Sequence, residues 1–313
     1  MSVTNQNYVL TDEQTGMVMK FTNRANIADQ VMPIKNLRTK SASFKFAERN
    51  LADGFTVPST LIGRASLPNQ ATTNIIERAG ICEDHGLTRF IPKRDIDEAG
   101  ENHVGDLVTD ALSEIMDRVL LGREKRVADI TQSPDNYLPK KVISTAAGDK
   151  FSSLDSNPLK YLLECLDKNI VRPNRMIIGA KAWTQLRMHP AIVKAMNGNA
   201  GGSGVATKEI VASLLELDEI LVGRSLINIA KKGADLDLQL CWGDNVALHY
   251  YEPIADQSNG LAWGLTFQSG DRVATTQWKE ELGLHGGHNV KAGASWAEVV
   301  TAKGAGMLLT GVI

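Results

Sequence analysis

Hydrophobic residues recur every three or four positions over residues 102–131, the spacing that places side chains on one face of an α-helix. The polar positions between them are mainly acidic in the first half and basic in the second, an order that complements the helix macrodipole. Asn102 is placed to cap the first turn, and Pro134 ends the pattern. Such a helix is about 45 Å long. The sequence therefore predicts a strut with one apolar stripe, which packs along a sheet or a second helix. The stripe consists of Val104, Leu107, Val108, Ala111, Leu112, Ile115, Met116, Val119, Leu120, Val127 and Ile130.

Short segments that alternate between polar and apolar residues precede this helix. The alternation covers residues 43–46, 73–77 and 87–91, and a period of two is typical of β-strands. These segments predict an extended β-ribbon within residues 36–91 that no helix covers. Because such a ribbon is marginally stable alone, we expect its apolar side chains to contact another subunit. The candidate assembly contacts are Phe44, Phe46, Phe55, Leu61 and Ile62.

Residues 1–35 are polar and weakly patterned, with a short helix predicted near residues 25–31 and ended by Pro33. The segment has too little apolar surface to offset the conformational entropy of folding alone. It is therefore either disordered or laid against another surface.

Strand and helix patterns alternate after the long helix and predict a mixed α/β domain over residues 157–253. Asn157 is placed to cap a helix that begins at Pro158, and a buried type of strand follows at residues 175–179. A glycine-rich loop spans residues 197–204. Further strands are predicted to return to the earlier parts, at residues 261–268, 272–282, 295–301 and 306–312.

Composition and charge exclude several functional classes. The 313 residues are 43% hydrophobic and 22% charged, as in ordinary globular proteins. With a net charge of −2, the chain lacks the positive electrostatic field of a protein that binds nucleic acid by charge. No apolar run reaches the ~18 residues of a membrane span, and the first ten residues do not resemble a signal peptide. We expect a protein kept in a cytoplasm, with Cys82, Cys165 and Cys241 as free thiols.

Three short motifs could carry chemistry, but each fits a structural role better. The loop at residues 197–204 lacks the lysine that directly follows the last glycine of a nucleotide-binding P-loop. His285 and His288 have no third metal ligand near them in sequence. Cys82 and His85 are neighbours on the predicted ribbon, which is not the arrangement of a nucleophile and its base. The sequence therefore predicts no catalytic residue, no metal site, no cofactor and no enzymatic activity.

The order of these parts, together with three short strings, resembles the major capsid proteins of tailed bacteriophages, which have the Hong Kong 97 fold. The strings are LGREKRVA at residues 121–128, PNRMIIG at residues 173–179 and WGDNVAL at residues 242–248. The resemblance implies an α+β fold with an N-terminal arm, an extended loop, a long spine helix in a peripheral domain and a mixed α/β axial domain. The implied boundaries are 1–35 for the arm, 36–91 for the loop, 92–156 with 254–300 for the peripheral domain, and 157–253 with 301–313 for the axial domain.

The same resemblance implies a structural function. The chain would assemble into hexamers and pentamers of an icosahedral shell that encloses packaged double-stranded DNA without sequence-specific contacts. A separate scaffolding protein and a portal would be its partners, no membrane would be involved, and assembly in the bacterial cytoplasm would yield the virion capsid. The loop nearest the capsomer axis would contain Gly198, Gly201, Gly202 and Gly204.

Two alternatives stay open at this point. An encapsulin-like shell around a cargo enzyme would have the same fold, and electron micrographs would distinguish its small closed shell from a tailed particle. A two-domain cytoplasmic enzyme built on residues 157–253 would be a monomer or small oligomer, which size-exclusion chromatography would detect.

Overall fold

A computed structural model describes residues 26–38, 41–49, 75–99, 107–196, 204–231, 235–256 and 260–313, with single positions between 55 and 67. Several predictions lie outside these residues. They are the structure of residues 1–25, the cap at Asn102 and three of the four glycines of the predicted capsomer-axis loop, namely Gly198, Gly201 and Gly202.

The described residues form helices on two sheets and two short β-hairpins. The helices are α1 (Ala28–Val31), α2 (Lys93–Ala99), α3 (Leu107–Gln132), α4 (Pro158–Asp167), α5 (Ala180–Met188), α6 (Pro190–Met196) and α7 (Lys208–Leu215). The strands are β1 (Ile34–Asn36), β2 (Ser43–Arg49), β3 (Ile75–Ile81), β4 (Glu83–Pro92), β5 (Val142–Ser144), β6 (Arg175–Gly179), β7 (Glu219–Gly223), β8 (Leu226–Asn228), β9 (Leu238–Leu240), β10 (Val246–His249), β11 (Gly264–Lys279), β12 (Gly287–Val300) and β13 (Gly306–Thr310).

The long helix predicted from the hydrophobic pattern is α3, whose 26 residues span about 39 Å. Its stripe is buried as predicted from Val108 to Leu120 and again at Val127. The stripe differs from the prediction at Arg123 and Glu124, which are buried although their charges suggested the solvent-exposed side. The short helix predicted before Pro33 is confirmed as α1.

A four-stranded sheet lies along α3 in the order β1-β11-β12-β4. Strands β11 and β12 form a long antiparallel hairpin, and β1 joins β11 in parallel. The segments predicted separately at residues 261–268 and 272–282 are largely one strand, because a bulge between Ser269 and Val273 lets β11 continue. We call this sheet with α3, and with α2 whose Ile96 packs against the same core, the peripheral half. Its core contains Leu112, Met116, Ala274, Val290, Ala292 and Trp296.

The prediction that residues 87–91 belong to the ribbon is wrong. They lie in β4, which pairs with β12 in the peripheral half, and Arg89 of this strand forms an ion pair with Glu114 of α3. Local alternation identifies a strand but does not specify its partner. The ribbon that remains is β2 paired antiparallel with β3, from Ser43 opposite Ile81 to Arg49 opposite Ile75.

A five-stranded sheet in the order β5-β13-β10-β6-β7 forms the centre of the second part of the molecule. Helices α4 to α7 pack on it and bury Leu162, Trp183 and Leu215 in the same core. The predicted start of α4 is confirmed, since the Oδ1 atom of Asn157 accepts a hydrogen bond of 3.1 Å from the N–H of Lys160. We call this sheet with its helices, and the hairpin of β8 and β9, the axial half.

Candidate assembly surface and inter-half junction

The base of the ribbon is anchored inside the subunit. Phe44 is only 6% exposed, and its ring centroid lies 4.8 Å from that of Phe267 on β11. Gly80 stands opposite Phe44, and a Cβ atom at this glycine would lie 2.6 Å from the Cζ atom of the ring. Phe44, one of the candidate assembly contacts, is therefore buried within its own subunit. Phe46 is half-buried and packs at the edge of the same cluster.

The outer part of the ribbon, in contrast, presents apolar side chains to solvent. Phe55 is 60% exposed, Leu61 88% and Ile62 50%. Val57 and Leu67 are also exposed. We call these five positions the ribbon tip. Large apolar residues that a single segment exposes to solvent generally mark a contact surface.

The motifs considered for chemistry do not form a site within the described residues. His288 packs edge-on against Trp278, while His285 lies in the turn between β11 and β12 beside Lys93 and Arg94 of α2. No group of three or more histidine, cysteine or acidic residues in the described part of the chain could hold a metal ion. Of the predicted capsomer-axis loop, Gly204 is described, and it lies beside Val193 of α6.

The three cysteines are free, as predicted, and all three are buried. Burial raises the pKa of Cys82, whose Sγ atom lies 3.5 Å from the carbonyl oxygen of Phe267. Burial also raises the pKa of Cys165, and it raises the pKa of Cys241 to about 12. Thiols held in the protonated state are poor nucleophiles, so these side chains serve in packing.

A second site, which the sequence pattern did not reveal, lies where the two halves meet. Glu124 of α3 is completely buried. Its carboxylate accepts hydrogen bonds from the N–H groups of Ile27 (3.0 Å) and Ala28 (2.7 Å). It also accepts bonds from the indole Nε1 of Trp242 (2.6 Å) and from the hydroxyl of Ser225 (3.3 Å). Three N–H groups thus compensate the cost of burying this charge, with the Ser225 hydroxyl as a weaker fourth donor because its single proton is shared with Asn26.

The neighbouring Arg123 is buried with partners of its own. It donates to the carbonyl oxygen of Met32 and to the hydroxyl of Thr266, both at 3.0 Å, and it forms an ion pair with Asp29. Its guanidinium group also lies 5.5 Å from the ring centroid of Trp296. A buried guanidinium with this many partners is a structural element of the core.

A cluster of three aromatic rings completes the junction. The ring of Trp263 stacks on those of His249 and Tyr137, with centroid distances of 3.9 and 5.1 Å, and the centroids of His249 and Tyr137 are 5.9 Å apart. The hydroxyl of Tyr137 donates to the carbonyl oxygen of Thr131 and therefore accepts from Nε2 of His249, at 2.8 Å. Burial, and secondarily the positive charge of Arg175, lower the pKa of His249 to about 3. The histidine is therefore neutral at physiological pH.

The string at residues 121–128 contains the only sequence signal for this junction. Its four charged residues are consecutive, and their charge suggested the solvent side, although Arg123 and Glu124 continue the three-and-four spacing of the buried stripe after Leu120. Their burial depends on donors and acceptors that come from residues about 90 to 140 positions away, such as Met32, Trp242 and Thr266.

Within the described residues, no helix has the length and apolar character to cross a membrane.

Sequence comparison finds relatives over nearly the whole chain. The chain is 35% identical over 311 residues to the major capsid protein of Pseudomonas phage JBD67, covering 99% of both proteins. It is 25% identical over 241 residues to the major capsid protein of Burkholderia phage BcepMu, covering 75% of this chain and 74% of that protein. No protein-family model matches the chain.

Solved structures with the same fold are also found. A phage-related protein from Bordetella bronchiseptica RB50 superposes with a TM-score of 0.71 at 17% identity, covering 98% of both chains. A chain from the capsid of Cyanophage P-SCSP1u superposes with a TM-score of 0.57 at 12% identity, covering 93% of this chain and 89% of that one. At these identities the likeness concerns the fold, and it confirms the α+β architecture of the Hong Kong 97 type.

Proposed function

The chain belongs to the family of phage major capsid proteins, and from this premise we propose that it forms the hexamers and pentamers of an icosahedral shell around packaged double-stranded DNA. It is a structural protein of the virion and not an enzyme. The observation that carries the proposal is its 35% identity to a phage major capsid protein over 99% of both chains.

The ribbon is the element that we propose to join neighbouring subunits. Its base is fixed by Phe44 against Phe267, while its tip exposes Phe55, Leu61 and Ile62. Burying one such side chain is worth about 1.5–3 kcal/mol. Repetition of a modest contact at every subunit could therefore hold a shell together. Phe46, half-buried near the base, would contribute less than the tip residues.

The remaining assignments of the capsid interpretation follow the same proposal. The loop with Gly198, Gly201, Gly202 and Gly204 would lie near the capsomer axis, and residues 157–253 with 301–313 would form the axial domain. The arm (1–35), the extended loop and the peripheral domain (92–156 with 254–300) would be the other parts, and the extended loop predicted at 36–91 gives up β4 (Glu83–Pro92) to the peripheral sheet.

Three partners are proposed besides further copies of the chain. A separate scaffolding protein would guide assembly in the bacterial cytoplasm, and a portal would occupy one vertex. The packaged DNA would be enclosed without sequence-specific contacts, consistent with a net charge of −2 that offers no basic field.

The alternatives now have less support. Both relatives found by sequence are phage capsid proteins, which favours a virion shell over an encapsulin-like cargo compartment. The cytoplasmic enzyme is not favoured, because the relatives are structural proteins.

Assembly of the purified full-length protein tests the proposal. Size-exclusion chromatography and negative-stain electron microscopy should show capsomers or closed shells well above the 34.0 kDa of one chain. A protein that stays monomeric under all assembly conditions would contradict the proposal.

A matched pair of double variants tests the role of the ribbon tip. Leu61→Ser with Ile62→Ser should reduce the yield of large assemblies, because the tip loses two apolar contacts per subunit. The control is Leu154→Ser with Ile254→Ser, which removes similarly exposed apolar residues outside the ribbon. Equal assembly yields for the two double variants would exclude the tip as a contact surface.

A further inference from the structure

The buried pair Arg123 and Glu124 divides its partners between the two halves of the molecule. We call residues 26–32 the arm root. Glu124 binds the arm root together with Ser225 and Trp242 of the axial half. Arg123 binds the arm root together with Thr266 of the peripheral half. Two adjacent residues of one helix thus connect the same short segment to opposite sides of the junction.

Other contacts of the arm root show the same division. On the axial side, the guanidinium of Arg175 donates to the carbonyl oxygen of Gln30 at 2.8 Å, and the hydroxyl of Ser225 shares its one proton between Oδ1 of Asn26 at 2.9 Å and the carboxylate of Glu124. On the peripheral side, the hydroxyl of Thr266 donates to the carbonyl oxygen of Met32 at 2.9 Å. The arm root is therefore hydrogen-bonded to both halves at once.

This arrangement links the docking of the arm root to the relative position of the halves. A buried carboxylate is tolerated only while donors surround it. If the axial half turned away from α3, Glu124 would lose the hydrogen bonds from Trp242 and Ser225. If the arm root left, Glu124 would lose the hydrogen bonds from Ile27 and Ala28. Each set of donors therefore stabilises the state in which the other set is bound, and such a coupling is reciprocal.

We propose that the arm root is a conformational lock on the angle between the axial and peripheral halves. While it is docked on Arg123 and Glu124 the halves are held at one angle, and its release frees them to turn. The lock is a property of the single subunit and does not depend on shell assembly, so its test is independent of the proposed function.

Hydrogen exchange in the full-length subunit tests the coupling from the axial side. Trp242→Phe removes the indole N–H, whose hydrogen-bond partner is Glu124 and not a group of the arm root. The lock predicts that a peptide covering residues 26–33 exchanges about 10-fold faster in this variant, the order of magnitude expected when a hydrogen bond to a charged group is lost.

Trp183→Phe is the matched control. Trp183 is a buried tryptophan of the axial core that packs away from the junction, so its replacement should leave exchange of the arm root unchanged. Arm-root exchange that is unaffected by Trp242→Phe, or that rises equally in both variants, would overturn the coupling.

Spin-label distances test whether the lock controls the angle. Labels on cysteines introduced at Arg94 of α2 and Lys160 of α4 report the two halves, since these side chains are 79% and 74% exposed whereas the native cysteines are buried. The lock predicts one narrow distance distribution in the parent protein. It predicts a shifted or broadened distribution in Glu124→Gln.

Asp29→Asn supplies a milder second variant if Glu124→Gln does not fold. It weakens the arm root's ion pair with Arg123 and leaves Glu124 in place. A distance distribution that stays narrow and unshifted while arm-root exchange accelerates would show that the arm root loosens without freeing the halves, and this result would overturn the lock.

Discussion

At the scale of single residues, Met116 shows how strictly the interior of the peripheral half selects side chains. It is fully buried in the contact between α3 and the four-stranded sheet. Met116→Asp would place a carboxylate there without a partner, and we expect a loss of several kcal/mol in the free energy of unfolding, of the order of the whole stability of a domain. Circular dichroism and urea unfolding measure this loss.

The control for this prediction is Met116→Leu, which conserves volume and should cost less than about 1.5 kcal/mol. Soluble, normally folded Met116→Asp protein would show that the stripe of α3 is not the core of this half.

His249 gives a residue-scale prediction about pH. Its folded pKa of about 3 lies below the 6.5 of an exposed histidine, so below pH 6.5 the unfolded chain binds a proton that the folded protein excludes. Stability is therefore lost as the pH falls from 6.5 towards 3. One such proton is worth roughly 1.4 kcal/mol per pH unit, which gives about 2 kcal/mol between pH 6.5 and 5.

Urea unfolding at a series of pH values checks this effect. His249→Leu should flatten the decline of stability between pH 6.5 and 5, because the buried imidazole is gone. His285→Gln changes an exposed histidine and should leave the decline as it is. A decline of equal steepness in the parent protein and in His249→Leu would contradict the assignment.

At the scale of elements, the orientation of the ribbon depends on how its base packs. The ring of Phe44 occupies the space above Gly80, and a Cβ atom there would approach the Cζ atom to 2.6 Å. Because Phe44 also packs on Phe267, the ring has little room to move. The ribbon can therefore keep a fixed direction although β2 and β3 pair only with each other among the described strands.

Gly80→Ala tests this packing. The added methyl group should displace Phe44 and cost about 1–3 kcal/mol, the usual cost of overpacking a core. The combination with Phe44→Leu should recover part of the loss, since the smaller side chain vacates the space. Gly148→Ala is the control, because a Cβ atom at Gly148 meets no atom within 4 Å. Unchanged stability of Gly80→Ala would mean that the ring repacks freely.

At the scale of the whole molecule, the structure separates the parts that hold the subunit together from a part that reaches beyond it. The cores of both halves and of the junction are formed without the ribbon tip. Removing the tip should therefore spare the fold and affect assembly.

A deletion variant makes this prediction concrete. Arg49 and Ile75 are directly opposite each other at the end of the β2 and β3 pair, so residues 50–74 can be replaced by a two-residue Asn-Gly turn of the type that closes hairpins. We expect a soluble subunit with near-native circular dichroism and a similar urea midpoint, because Phe44 stays on Phe267. Electron microscopy should show no closed shells. Normal particles from this variant would contradict the role of the ribbon in assembly.

The sequence by itself determined the elements whose signals are local. The stripe of α3, the Asn157 cap and the buried strand β6 were all predicted, because side-chain periodicity and capping depend on residues within a few positions of each other. The layout of these elements also sufficed to suggest the capsid fold, which the comparisons confirm.

Only the tertiary structure decided which distant parts meet. In the structure, residues 87–91 belong to the peripheral sheet and not to the ribbon. Phe44 is buried against Phe267, and Arg123 and Glu124 are buried at the junction. Periodicity shows which face of an element is apolar but not which partner covers it. A charged residue becomes part of the core only when distant donors and acceptors converge on it, and no local pattern records that convergence.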